Sequence, residues 1–115
     1  MSKRILVADD DPAMLKVYER ILARTSHAVE KASTFAEAAA LIAARDFDLL
    51  ITDLMLPDGL GTDLIKFFEK KRAGARSLLV TGSARELPAA ELPENYFEKP
   101  FDVASFMAAV AAALE

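Results

Sequence analysis

Short, continuous apolar runs alternate along this chain with longer stretches in which apolar residues recur every three or four positions. Lys3 to Asp9 centres on Ile5-Leu6-Val7-Ala8 and lacks the apolar/polar alternation of a half-exposed strand, so it predicts a strand covered on both faces. Leu49 to Asp53 and Ser77 to Thr81 repeat the pattern, while Ala28 to Ala32 reads as a weaker second strand and Tyr96 to Glu98 as a short fifth. Helical patterns lie between them. Pro12 suits the first turn of a helix whose stripe is Met14, Leu15, Tyr18, Ile21 and Leu22, with Asp11 as its start residue. Thr34-Phe35-Ala36-Glu37 has capping-box spacing ahead of an Ala-rich, strongly helix-forming segment that runs to about Arg45. Leu54 to Gly61, with one proline and two glycines, predicts a loop. Thr62 to Lys71 predicts a third helix with Leu64, Ile65, Phe67 and Phe68 inward, and Asp102 caps a last one carrying Phe106, Met107, Val110 and Leu114. Because parallel strands need helix-length crossovers, this alternation predicts an α/β fold: a doubly wound, five-stranded parallel sheet in a three-layer α/β/α sandwich.

All strands of such a sheet end at one edge, where open α/β sheets bind their ligands. The apolar runs here end in Asp9-Asp10, in Asp53, in Thr81 and in Glu98-Lys99-Pro100. Carboxylates, a hydroxyl and an ammonium are therefore expected together. The 115 residues suit one domain, 1–115, and 53% hydrophobic with 28% charged residues is a globular composition. With no cysteine, disulfides and thiolate metal sites are excluded. The apolar stretch after Met1-Ser2-Lys3-Arg4 breaks at Asp9, far short of a signal sequence or membrane span, so a cytoplasmic location without membrane contact is expected. The formal net charge of −4 argues against direct nucleic-acid binding by this domain, which needs a basic face.

Three carboxylates in one crevice repel and raise one another's pKa unless a cation sits among them. Mg²⁺ is the natural occupant, because it accepts one or two carboxylates, keeps several waters and takes a phosphate oxygen. One carboxylate is then left as a nucleophile. Phosphoryl transfer asks mainly for placement and charge neutralisation, which a metal, a lysine and a hydroxyl supply together, and the product would be an aspartyl phosphate.

With these residues in this order, the chain resembles, over its whole length, the receiver domain of a two-component response regulator. The resemblance implies a flavodoxin-like sheet with strand order 2-1-3-4-5 and a phosphoacceptor switch fed by a histidine kinase or phosphotransfer protein. It implies that Asp53 is the phosphoacceptor and that Asp10 binds Mg²⁺ directly and Asp9 through water. Asp53-Leu54-Met55-Leu56-Pro57 followed by Gly61 matches the loop after the phosphoacceptor, with the Met55 backbone carbonyl as a metal ligand. Thr81 matches the switch hydroxyl, Gly82 the small residue leaving room for the phosphoryl group, Lys99-Pro100 the lysine with its proline junction, and Tyr96 the switch aromatic. Such a domain catalyses its own phosphorylation and hydrolysis but is not a turnover enzyme. It is also expected to be the N-terminal part of a longer regulator with an attached output domain.

The chain departs from the family between Thr81 and Lys99, where the spacing is short and Pro88 and Pro93 interrupt the stretch expected to hold the family's fourth helix. That helix is expected to be short or missing, residues 83–95 to be the most mobile part, and the protein to be a monomer or weak dimer. Phe67, Phe68 and the methionines are expected in the core, Asp58 and Asp63 as solvated charges, and His27 as an exposed residue without chemistry. The alternative function is a phosphorylation-independent, receiver-like interaction module, against which the intact Asp9, Asp10, Asp53, Thr81, Lys99 set argues. An aspartyl phosphatase would need a second acid where Met55 stands. A flavin-binding protein would need a hydroxyl- and glycine-rich loop where Asp9-Asp10-Asp11 stands.

Overall fold

The computed structural model describes residues 2–82, 96–99 and 101–115. Five parallel strands, β1 (Arg4–Ala8), β2 (Ala28–Ala32), β3 (Leu49–Asp53), β4 (Arg76–Thr81) and β5 (Tyr96–Glu98), form one sheet in the order β2-β1-β3-β4-β5. Four described helices cover it: α1 (Pro12–Leu22), α2 (Phe35–Ala44), α3 (Gly61–Lys71) and α4 (Val103–Ala113). Side chains alternate across a strand, so each run feeds two cores. Leu6, Ala8, Leu50 and Leu79 meet Ala38 and Ile42 of α2 and Leu64, Ile65 and Phe68 of α3. Ile5, Val7, Leu49, Ile51, Leu78 and Val80 meet Tyr18, Ile21 and Leu22 of α1 and Phe106 and Val110 of α4. The expected three layers and strand order are thus present, and the uninterrupted apolar runs are explained by burial on both faces. The expectations of a short fourth helix and of mobility over residues 83–95, and the junction at Pro100, lie outside the described residues.

The helix starts follow their capping residues. Asp11 accepts the Ala13 N–H at 3.0 Å, Thr34 accepts the Glu37 N–H at 3.0 Å, and Asp102 accepts the Ser105 N–H at 2.8 Å. Glu37 closes the box onto the Ser33 N–H (2.8 Å), one residue earlier than the motif prescribes.

Several expectations are corrected. Phe67 is not core: α3 buries Gly61, Leu64, Ile65 and Phe68, and Phe67, one residue and about 100° round the helix from Phe68, is 40% exposed. Met55 is likewise exposed, and Met14 and Met107 are only partly buried. The loop 54–61 contains a tight antiparallel pair, Met55–Leu56 with Gly59–Leu60, which puts Pro57 and Asp58 at its tip. Asp58 is exposed but not merely solvated, because its carboxylate accepts the N–H groups of Phe35 (2.6 Å) and Ala36 (3.0 Å), the free donors in the first turn of α2. His27 is half-buried, and its Nδ1 accepts the Lys3 N–H at 3.0 Å.

Candidate functional site

Register brings the strand ends together. Ala8 pairs with Thr52 and Asp53 with Val80, so Asp9, Asp53 and Thr81 stand side by side across β1, β3 and β4. Lys99 follows β5 directly, and its N–H donates to the Thr81 carbonyl at 2.9 Å, extending the ladder by one rung. Its side chain reaches back over the sheet. Lys99 Nζ donates to Asp9 Oδ2 at 2.7 Å and to Asp53 Oδ2 at 3.1 Å, joining residues 90 and 46 positions away in sequence.

Asp9 has no exposed surface, and its other oxygen, Oδ1, accepts the Asp11 N–H at 2.9 Å. Burial pushes its pKa above the ordinary 3.8 despite the opposing lysine, because loss of hydration outweighs one ammonium and one N–H. The same burial pulls Lys99 down, but its bonds and charge contacts with Asp9 and Asp53 prevail and leave it above 10.5. The repulsion expected among the carboxylates is therefore already relieved in part by an ammonium. Asp53 is 9% exposed and Asp10 faces solvent, so the crevice is open on the side where those two carboxylates stand.

Asp9, Asp10 and Asp53 can each offer an oxygen such that all three lie within 4.8 Å of one another. An all-oxygen donor set with one buried and one exposed member fits a hard divalent cation that retains water. Thr81 is fully buried beside this group, and Gly82 next to it is exposed with open space where a Cβ would stand. Tyr96, opposite Leu79 in register, is half-buried against the α2/α3 core. Met55 opens the antiparallel pair two residues after Asp53.

Two further residues shape the site. A Cβ on Gly61 would lie 2.0 Å from the Asp53 carbonyl oxygen, so only glycine lets the start of α3 close over the β3 end, where its N–H donates to the Leu54 carbonyl at 2.7 Å. The sequence offered only its spacing from Asp53. Tyr18 lies in the buried layer beneath the carboxylates, whose charges add to burial in holding its phenol protonated well above pH 10. Sequence reading placed it in the α1 stripe and saw no chemistry in it.

The geometry agrees with comparisons to known proteins. Residues 5–111 match the family model "response regulator receiver domain". Among curated relatives, the "DNA-binding transcriptional regulator NtrC" of Azospirillum brasilense is 34% identical over 96% of this chain and 24% of its own length. The "acid tolerance regulatory protein ActR" of Rhizobium meliloti is 31% identical over 94% of this chain and 58% of its own. The chain thus spans about a quarter of the length of the first and somewhat over half of the second. The crystal structure of a CheY-like response regulator receiver domain protein from Methanospirillum hungatei JF-1 superposes with TM-score 0.87 at 32% identity, covering 99% of this chain and 94% of that one. A parallel sheet in the order β2-β1-β3-β4-β5, with acidic residues and a lysine gathered at its carboxyl edge, is therefore the fold of a response regulator receiver domain, the family to which this chain belongs.

Proposed function

We propose that Asp53 of this phosphoacceptor signalling switch receives the phosphoryl group of a phosphohistidine on a histidine kinase or phosphotransfer protein. The P–N bond breaks as a P–O bond forms to an Asp53 oxygen, and the imidazole leaves with the electron pair. The observation that carries this reading is the Lys99 ammonium held between Asp9 and Asp53 at 2.7 and 3.1 Å. A fixed point charge beside a strand-end carboxylate can neutralise oxygens arriving there. Asp10 and Asp53, with Asp9 behind and the Met55 carbonyl alongside, are the residues that would hold Mg²⁺, which supplies further charge neutralisation at the phosphoryl oxygens. Thr81 supplies the hydroxyl that reports the phosphoryl group, Gly82 leaves it room, and Tyr96 is the switch aromatic.

The domain acts on itself in phosphorylation and dephosphorylation and otherwise signals. Among the described residues no helix is long and apolar enough to cross a membrane, and we assign the domain to the cytoplasm as the N-terminal receiver of a longer regulator whose output domain or partner reads its state, as a monomer or weak dimer without nucleic-acid contacts of its own. Incubation with a small-molecule phosphodonor and Mg²⁺ should add one phosphoryl mass to the wild type and none to Asp53→Asn. Persistence of the adduct in that variant would refute the assignment, and Lys99→Ala should accept phosphate yet show weakened amide shifts.

A further inference from the structure

Tyr18 is 1% exposed, and among the described residues its hydroxyl is the buried side-chain polar atom that has no hydrogen-bond partner. A buried donor without an acceptor is costly, and phenylalanine would fill the same space without that cost. The ring itself is well used: it stacks on Phe101 (centroids 6.0 Å apart, planes 13° apart) and packs against Phe106 at 5.8 Å. Phe97 and Phe101, two residues to either side of Lys99, meet each other at 6.4 Å, so the turn carrying the lysine is pinned by the rings around Tyr18.

Tyr18 lies on the same face of the sheet as the acidic pocket. Ile5 and Val7 on β1, and Leu49 and Ile51 on β3, point into the Tyr18 layer, and the next positions of the same parity are Asp9 and Asp53. Helical side chains lean toward the helix N-terminus, and that end of α1 adjoins Asp9 through the Asp11 cap. The charges of both carboxylates help keep the phenol protonated, and hence a donor.

We propose that Tyr18 is a positioning residue for the acidic pocket, its hydroxyl becoming the hydrogen-bond donor to Asp9 when Lys99 is drawn away. The inference rests on the metal reading above. Lys99 now bridges Asp9 and Asp53, two of the three carboxylates around the cation site, and a divalent cation held there would repel its ammonium and draw it off the buried Asp9. Asp9 Oδ2, fully buried, then needs another donor, and the hydroxyl of Tyr18 has no existing bond to give up.

The test is Tyr18→Phe, which keeps the ring, with Mg²⁺ titrated by thermal shift and amide NMR. Partners that orient metal ligands are typically worth 10–100-fold in affinity. The variant should bind Mg²⁺ about tenfold more weakly while melting, without Mg²⁺, at the wild-type temperature or higher. The tyrosine difference spectrum evoked by Mg²⁺ should survive in Tyr96→Phe and vanish in Tyr18→Phe. Affinity within about twofold of wild type would overturn this inference and leave the metal reading standing, whereas a wild type indifferent to Mg²⁺ would overturn both.

Discussion

The two faces of the sheet are held by different physics. On one, α2 and α3 are tied at both ends by directional polar bonds: Asp58 accepts the first N–H groups of α2, and Lys71 Nζ donates to the carbonyls of Ile42 and Arg45 at its other end. Arg72 adds bonds to the Phe47 carbonyl (2.5 Å) and the Asp48 carboxylate (3.0 Å). An acid at the helix N-terminus and a base at its C-terminus also match the helix dipole. On the other face, no hydrogen bond or ion pair joins α1 to α4 among the described residues, and Tyr18, Phe97, Phe101 and Phe106 pack ring against ring between them. Ring packing is strong yet less directional than a hydrogen bond, so this face can repack where the polar-tied one would have to break bonds. Lys99 is anchored on the aromatic side. A displacement of Lys99 is therefore expected to reach α1 and α4 before α2 and α3.

The largest effect expected on this contrast comes from Phe106→Ala, which removes a fully buried ring that contacts the other three. Truncation of a buried phenylalanine costs about 3–5 kcal/mol, read by urea unfolding. Hydrogen exchange should quicken across α4 and the Lys99 turn before the Phe35 and Ala36 amides respond. Equal loss of protection on both faces would break the comparison.

Gly61→Ala comes next, because its methyl group would press on the Asp53 carbonyl, a backbone atom that cannot swing aside. Overpacking of this kind costs about 1–3 kcal/mol, and the displacement should fall on the phosphoacceptor strand and α3 together. A variant as stable as the wild type would mean that α3 starts farther from β3 than the structure places it.

Smallest is the Asp58 latch. Its N–H partners Ala36 and Phe35 hold the carboxylate below its ordinary pKa of 3.8, so its stabilising contribution is present above about pH 3.8 and is lost as pH falls through the lowered folded value. Asp58→Ala should therefore melt below the wild type at neutral pH, with faster exchange at Phe35 and Ala36, and the gap should close in acid. Asp9 has the opposite sign: its raised pKa makes the ionised form a penalty that disappears as pH falls through the folded value, which partly offsets the acid loss. A gap between wild type and Asp58→Ala that does not shrink with falling pH would remove the latch from the account of the rigid face.

What was legible in advance was local. Strand β2 begins and ends at Ala28 and Ala32 as read from the chain, and α1 begins at Pro12, because apolar runs, helical stripes and capping residues are properties of neighbours in sequence. The gathering of Asp9, Asp53, Thr81 and Lys99 was legible too, since parallel strands must deliver their last residues to one edge.

Tertiary structure alone decided what crosses between elements. No periodicity reveals that Asp58 stops at α2 rather than in water, or that Lys71 closes the far end of that helix. Phe67 looked like core for the same reason, because an apolar residue adjoining a stripe is assigned inward until the helix packs and leaves it outside. Tyr18 is the sharpest case. Its place on the buried stripe of α1 follows from the spacing of Met14, Leu15, Tyr18, Ile21 and Leu22, but whether a buried hydroxyl meets a partner depends on groups from β1, β3 and the turn after β5, which come together only when the sheet has formed.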